Sequence, residues 1–271
     1  MGPQQPPKTP VSGVQHIIAV GSGKGGVGKT TVSVNLSLAL AKLGRKVGLL
    51  DADVYGPNVP LMMGVSEPPK AHGDRIQPLE NYGVKLMSMG FINPGDRPLV
   101  WRGPMLHSAI QQFLHNVDWG NLDYLVIDLP PGTGDVALSL AQSTPITGAI
   151  VVTTPSDVSL EDARKAVNMF AQVRIPMLGL IENMSYLIAP QSGERIDVFG
   201  QGGGKKTAEK MNVPFLGELA LDPAVRIGGD SGAPVTTKDV PQAAPFLDLA
   251  RKVEQRVAQS ATAAPSIIVE D

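Results

Sequence analysis

Gly23-Lys24-Gly25-Gly26-Val27-Gly28-Lys29-Thr30 follows the spacing G-x-x-x-x-G-K-[ST] and lies between an apolar run and a segment with helical periodicity. Before it, His16-Ile17-Ile18-Ala19-Val20 is short, β-branched and uninterrupted, the pattern of a strand buried on both faces. After it, Thr30 to Leu43 carries Val34, Leu38 and Ala41 at helical spacing and stops at Gly44, a residue suited to closing a helix. Strand, glycine-rich turn and helix in this order make a phosphate cradle. Glycines let successive backbone N–H groups turn toward a polyphosphate, the helix N-terminus adds positive potential, and Lys29 reaches the outer phosphates. Thr30 supplies a hydroxyl for Mg²⁺, and the expected nucleotide contacts run from Gly23 through Thr31. The blander alternative, a glycine-rich turn without a ligand, loses ground because both flanking elements are in place.

Further apolar runs alternate with helical segments or loops: Val47-Gly48-Leu49-Leu50, Val84 to Met89, Tyr124-Leu125-Val126-Ile127, Ala149-Ile150-Val151-Val152, Met177 to Ile181, and Phe215-Leu216. This alternation predicts an α/β fold with a mostly parallel sheet and helices on both faces, the three-layer α/β/α arrangement of P-loop NTPases. In such sheets ligands bind beyond the carboxyl ends of the strands, so the residues after each run are the candidates for chemistry.

The second strand is followed by Asp51-Ala52-Asp53-Val54-Tyr55-Gly56-Pro57-Asn58. On an extended segment two acids one residue apart point the same way, here toward the phosphate end of the sheet. Asp53 is the candidate for orienting the water that attacks a γ-phosphate, with Asp51 supporting Mg²⁺ or Lys29; a turn with two solvated acids is the alternative. Leu125-Val126-Ile127-Asp128 ends an apolar run in an acid, the arrangement in which a carboxylate holds Mg²⁺ through its water shell. The prolines and glycines after it, through Asp135, form a natural switch loop. Asn183, just past Ile181, offers a donor and an acceptor side by side, matching N6 and N7 of adenine, although a lone Asn at a strand end is more often a turn residue. Gly202-Gly203-Gly204 reads either as a second anion-binding helix start or as a flexible connection into a helix ending near Asn212.

The chain of 271 residues is long enough for one large α/β domain, and its 23 basic against 25 acidic side chains argue against nucleic acid or an anionic membrane as the main partner. No apolar run approaches the ~20 residues of a membrane span and no hydrophobic signal core is visible, so a cytoplasmic protein is expected. The domain is expected over 15–258, between a Pro-rich flexible tail over 1–14 and a loose Ala/Ser-rich tail over 259–271. Cysteine is absent, which removes disulfides and thiolate metal sites together. His107 and His115 stand too far apart around a helix to act as a ligand pair, and His16 and His72 are isolated. Phe246, Leu249, Ala250, Val253 and Val257 fit one helical face, the mark of core packing.

Taken jointly, the phosphate loop, Asp51-Ala52-Asp53-Val54-Tyr55-Gly56-Pro57, Trp101-Arg102-Gly103-Pro104-Met105, Asp128-Leu129-Pro130-Pro131-Gly132-Thr133-Gly134-Asp135, Glu182-Asn183-Met184-Ser185-Tyr186 and Leu221-Asp222-Pro223-Ala224-Val225-Arg226 resemble the Mrp/ApbC-type iron–sulfur cluster carrier ATPases, from about Val14 to Ala258. Lys24 resembles the signature lysine of the deviant Walker A class, to which MinD and ParA ATPases also belong. That lysine reaches the nucleotide of a partner subunit, so the resemblance implies a homodimer closed around ATP and Mg²⁺. It also implies slow ATP hydrolysis and transfer of a bridging [4Fe–4S] cluster to apoproteins or exchange with scaffold proteins. The family's C-x-x-C pair corresponds here to Ala189-Pro190-Gln191-Ser192, and neither Ala189 nor Ser192 furnishes a thiolate. Three readings fit this departure: a natural member without the ligands, an engineered one, or a carrier that uses other ligands or a partner's thiols. A positioning ATPase that cycles on membrane or DNA, and an ATP-switched regulatory module of cluster assembly without a bound cluster, stand as alternatives.

Overall fold

Strands that must be covered on both faces need unbroken apolar runs, and those runs form the centre of an eight-stranded sheet. The computed structural model describes residues 8–92, 103–132 and 134–262. Trp101, Arg102 and Thr133, which contribute to the sequence motifs, lie outside the described residues, as do the end segments 1–7 and 263–271.

In chain order the elements are β1 (Val14–Ser22), α1 (Lys29–Lys42), β2 (Val47–Asp51), α2 (Val59–Met62), β3 (Lys70–His72), β4 (Arg75–Gln77), β5 (Leu79–Asn81), β6 (Val84–Ser88) and α3 (Gly103–His115). Next come β7 (Leu122–Asp128), α4 (Asp135–Ser143), β8 (Gly148–Thr153), α5 (Asp157–Gln172), β9 (Met177–Glu182), β10 (Leu187–Ile188), β11 (Arg195–Ile196), α6 (Gly203–Lys210), β12 (Phe215–Glu218), α7 (Pro223–Asp230) and α8 (Ala244–Thr262). The sheet runs β12-β9-β8-β1-β7-β2-β6-β5 and is parallel except at β5, which pairs antiparallel with β6. The expected parallel sheet is therefore present, with one antiparallel edge strand that the sequence pattern did not show.

Two apolar cores lie on opposite faces of the sheet. Phe113, Trp119 and Phe170 belong to the one covered by α3, α4 and α5, and Leu36, Leu40, Val253 and Val257 to the one covered by α1 and α8. The apolar face of α8 read from the sequence is buried there in full. Because β1 has β7 on one side and β8 on the other, the loop leaving its carboxyl end opens at the point where the chain changes direction across the sheet.

Two boundaries differ from expectation. Val11 is buried in the core and Thr9 N–H donates to Ser143 O at 3.1 Å, so the residues just before β1 are anchored rather than part of a free tail. An apolar side chain inside a Pro-rich stretch is enough to pin it. At the other end, α8 continues to Thr262, past the boundary expected at 258, because nothing in Gln259-Ser260-Ala261-Thr262 breaks a helix.

Candidate nucleotide site

The phosphate loop joins β1 to α1 as its sequence predicts, and α1 closes where expected, with Gly44 N–H donating to Ala41 O and Arg45 N–H to Leu40 O. The loop residues Lys24 through Thr31 line a cleft of about 600 Å³. Gly23 is the exception: it does not line the cleft, and a Cβ there would overlap the backbone of Asp162 in α5, so its role is close packing. Gly26 and Gly28 adopt φ of +81° and +79°, the left-handed region in which glycine alone is free of strain.

Behind Lys29 and Thr30, which line the cleft, three donors converge on one carboxylate that does not itself line it. Asp128 is fully buried; its Oδ2 accepts from Lys29 Nζ at 2.9 Å and from Thr30 Oγ1 at 2.7 Å, and its Oδ1 accepts from Ser33 Oγ at 2.6 Å. Lys29, 6% exposed, also lies 3.8 Å from Asp53 Oδ2. The other oxygen of Asp53 accepts from the N–H groups of Tyr55 and Gly56, which shapes the loop leaving β2. Ser33 escaped the sequence reading. Its signal was position: four residues after Lys29, it falls one helical turn behind the loop.

Asp51 does not share the cleft with Asp53, contrary to the expectation from alternation. The strand ends at Asp51 and the chain turns there, with Asp53 N–H donating back to Asp51 Oδ1 at 3.2 Å. Asp51 Oδ2 accepts from Val59 N and Ser88 Oγ, so the carboxyl organises the β2–α2 connection and the end of β6, with no direct contact to Lys29. In register it stands beside Asp128 on the neighbouring strand. Burial, and next the Asp128 carboxylate, push the Asp51 carboxyl up to about 8.

The sign of that shift gives a testable pH dependence. From the unfolded value near 3.8 up to about 8, the folded chain holds a proton that the unfolded chain has released. This group's contribution to stability is fully present below pH ~4 and is lost as pH rises toward 8, at up to ~1.4 kcal/mol per unit. Denaturant titration of metal-free protein at pH 6 and pH 8 is expected to show a loss about 2 kcal/mol larger in the parent than in Asp51→Asn. Equal losses in the two proteins would refute it.

Asn183 has a partner within the chain. Its Nδ2 donates to Val27 O in the phosphate loop at 2.9 Å, the side chain is buried, and it is not among the residues lining the cleft. Gly202-Gly203-Gly204 is neither a flexible connection nor a free anion site. Gly204 N–H donates to the buried carboxylate of Glu182, so the chain supplies its own anion to the start of α6. The far wall of the cleft, Tyr55, Asn58, Leu61, Met62 and Asp230, was not anticipated either. Lys24 is half-buried, and among the described residues its ammonium makes no hydrogen bond or ion pair.

Ala189 and Ser192 sit on the tip of the β10–β11 hairpin. Ala189 N–H donates to Glu194 O at 2.9 Å, and Gly193 N–H donates to Ala189 O at 2.8 Å. Beneath the tip the Arg195 guanidinium stacks 4.1 Å over the Tyr186 ring and pairs with Asp197 and Glu218.

The sequence profile of the NUBPL iron-transfer P-loop NTPases, within the ParA group, matches residues 13–254. The chain belongs to this family. An iron–sulfur cluster carrier protein of Synechocystis is 51% identical over 242 residues, spanning 86% of this chain and 69% of the relative. The iron–sulfur cluster transfer protein NUBPL of Dictyostelium discoideum is 48% identical over 259 residues, spanning 93% and 80%. Among solved structures, a nucleotide-binding protein of Archaeoglobus fulgidus in complex with ADP superposes with a TM-score of 0.75 at 36% identity, covering 86% of this chain and 92% of that one. The cell-division ATPase MinD of Pyrococcus furiosus superposes with a TM-score of 0.65 at 27% identity, covering 89% and 98%. The resemblance read from the motifs and the parallel-sheet P-loop architecture are thus both borne out, and no helix among the described residues is long and apolar enough to cross a membrane.

Proposed function

We propose that the chain binds Mg·ATP in the loop-lined cleft, hydrolyses it slowly as a homodimer, and uses the cycle to time the passage of iron–sulfur clusters to apoproteins or between assembly proteins in the cytoplasm. The observation that carries this reading is the convergence of Lys29, Thr30 and Ser33 on Asp128, buried directly behind the cleft-lining Lys29 and Thr30.

The donor set suits a hard cation. A carboxylate and a hydroxyl stand side by side, while among the described residues no three His, Asp or Glu side chains form a protein-only cage. Magnesium is held in just this way, by one or two carboxylates together with substrate phosphates. Thr30 and Asp128 would hold it, and when bound it neutralises charge developing on the phosphate oxygens. The backbone N–H groups of the loop hold the phosphates and Lys29 follows the outer one. Asp53, lining the cleft with one oxygen turned toward Lys29, orients the attacking water. Lys24 crosses to the nucleotide of a sister copy. Asp51 and Asn183 act behind this layer, holding the loops that carry it.

The cluster is cargo, and the chain has no thiolate to hold it. The reading that fits these residues is one in which cysteines of the client or scaffold carry the cluster while ATP times the encounter. Support for transfer over a membrane- or DNA-cycling role comes from the carriers at 51% and 48% identity against MinD at 27%. The apolar face of α8 is moreover buried in the core and offers nothing to a bilayer.

Two measurements on one preparation test the two halves. Steady-state phosphate release is expected to fall by about 100-fold in both Lys24→Ala and Asp53→Ala; unchanged rates in both would end the assignment of roles. Anaerobic reconstitution with iron and sulfide is expected to leave the parent colourless and to give a stable brown Ala189→Cys/Ser192→Cys protein. A cluster that forms stably on the parent would overturn the cargo reading.

A further inference from the structure

We propose that Asn183 is a positioning residue that ties the phosphate loop to the β10–β11 hairpin, so that the loop's grip on a nucleotide sets the mobility of the hairpin tip. This rests on the nucleotide reading of the cleft.

Asn183 Nδ2 holds the carbonyl of Val27 at 2.9 Å. A trans peptide is planar with its C=O and N–H pointing in opposite directions, so holding Val27 O on the Asn183 side aims the N–H of Gly28 the other way, and Gly28 lines the cleft. A phosphate that accepts from Gly28 N–H polarises the same peptide unit and strengthens its carbonyl as an acceptor for Asn183. The event in the cleft is thereby felt at one buried side chain on the far side of the loop.

Beyond Asn183 the chain has little slack. Asn183 N–H donates to Thr153 O at the end of β8, Ser185 N–H to Leu219 O at 2.9 Å, and Leu221 N–H to Tyr186 O at 2.7 Å. The Ser185 hydroxyl donates to Glu182 Oε1 at 2.5 Å, and Ser185 is fully buried. Met184 between them is held at φ +53°, a strained value for a side chain that size. The hairpin begins at Leu187, and Ala189 is reached within about 20 Å of extended chain from Asn183. The loop and the tip are thus joined by a short, hydrogen-bonded connector whose first link is an amide bound to the loop itself.

The test is hydrogen exchange on the full chain with and without Mg²⁺ and a non-hydrolysable ATP analogue, with calorimetry of the same samples. In the parent, nucleotide is expected to slow exchange in residues 186–196 about tenfold. In Asn183→Ala binding is weakened but saturable, and at saturation the hairpin is expected to respond by less than about twofold. Asn183→Asp keeps the volume and removes the donor, and serves if the truncation compromises folding. A parent hairpin that ignores bound nucleotide overturns the proposal alone. Protection that persists in a saturated variant, as contact with a second copy would produce, overturns it too. Calorimetry showing no nucleotide binding to the parent removes both this proposal and the reading of the cleft.

Discussion

Asp128→Asn is expected to abolish the magnesium dependence of ATP binding while leaving magnesium-free binding intact or tighter. In the structure the Lys29 ammonium is engaged by a carboxylate with no exposure to solvent. A phosphate that draws Lys29 away leaves that carboxylate buried without its cation, a loss of several kcal/mol unless another cation replaces it. In the proposed function magnesium is that replacement, so in the parent ATP and Mg²⁺ are expected to bind as a unit. A gain in ATP affinity of about 100-fold on adding Mg²⁺, ~2.7 kcal/mol, is expected there. Without the charge on residue 128, Lys29 is free for phosphate and the cation loses its carboxylate. The gain should then shrink below about fivefold.

The same change destabilises the chain. Removing one partner of a buried ion pair costs about 3–5 kcal/mol, and for a chain of this size roughly 2–4 °C of Tm accompanies each kcal/mol. Relief at Asp51, whose carboxyl is pushed up in part by Asp128, offsets some of this, so a fall of roughly 5–15 °C is the expected range. Calorimetric titration with and without a chelator decides the matter: an Asp128→Asn protein that keeps the parent's magnesium dependence would show that Asp128 is not where the cation acts.

How much of this site was visible beforehand depends on whether a residue's role can be read from its neighbours in sequence. The central strands were legible because a strand covered on both faces must be apolar throughout, as in Leu125-Val126-Ile127. β5 was not, because three residues at a sheet edge, Leu79-Glu80-Asn81, carry no such demand. Lys29 and Thr30 stand out by the G-x-x-x-x-G-K-[ST] spacing and Asp128 as the acid that ends an apolar strand, and the fold brings the three side chains together. Asp51 was misplaced because alternation holds only while a strand continues, and β2 stops at that residue. Ser33 and Glu182 were passed over for the opposite reason. Each owes its role to a partner far along the chain, Asp128 for one and Gly204 for the other, which no local pattern marks. Asn183 stands out by its place at a strand end, and its amide suits a base; its bond to Val27 O, a partner 156 residues away, is marked by no local pattern.

Gly28→Ala should be the most damaging small substitution in the loop, and Gly26→Ala shows why. Both glycines have nearly the same backbone, φ +79° and +81°, so each alanine bears the same left-handed penalty of about 1–2 kcal/mol. Their surroundings differ. A Cβ on Gly26 meets nothing within 4 Å, whereas one on Gly28 would overlap the Asn183 amide nitrogen. That amide is buried and cannot swing into water, so either the loop shifts or the bond to Val27 O breaks, at a further ~1–3 kcal/mol. Gly26→Ala is therefore expected to lower Tm by only a few degrees. Gly28→Ala is expected to lower it by roughly 10 °C and to weaken ATP binding at least about 100-fold, since a displaced loop no longer aims its N–H groups at the phosphates. Combining Gly28→Ala with Asn183→Ala removes the overlap but not the backbone strain. The pair should therefore be more stable than the sum of the single changes predicts, by about 1–2 kcal/mol, and should recover part of the affinity while the hairpin stays unresponsive to nucleotide. Strictly additive losses in that cycle would mean that Asn183 and the loop do not press on each other, and the contact between them would have to be given up as the explanation for either.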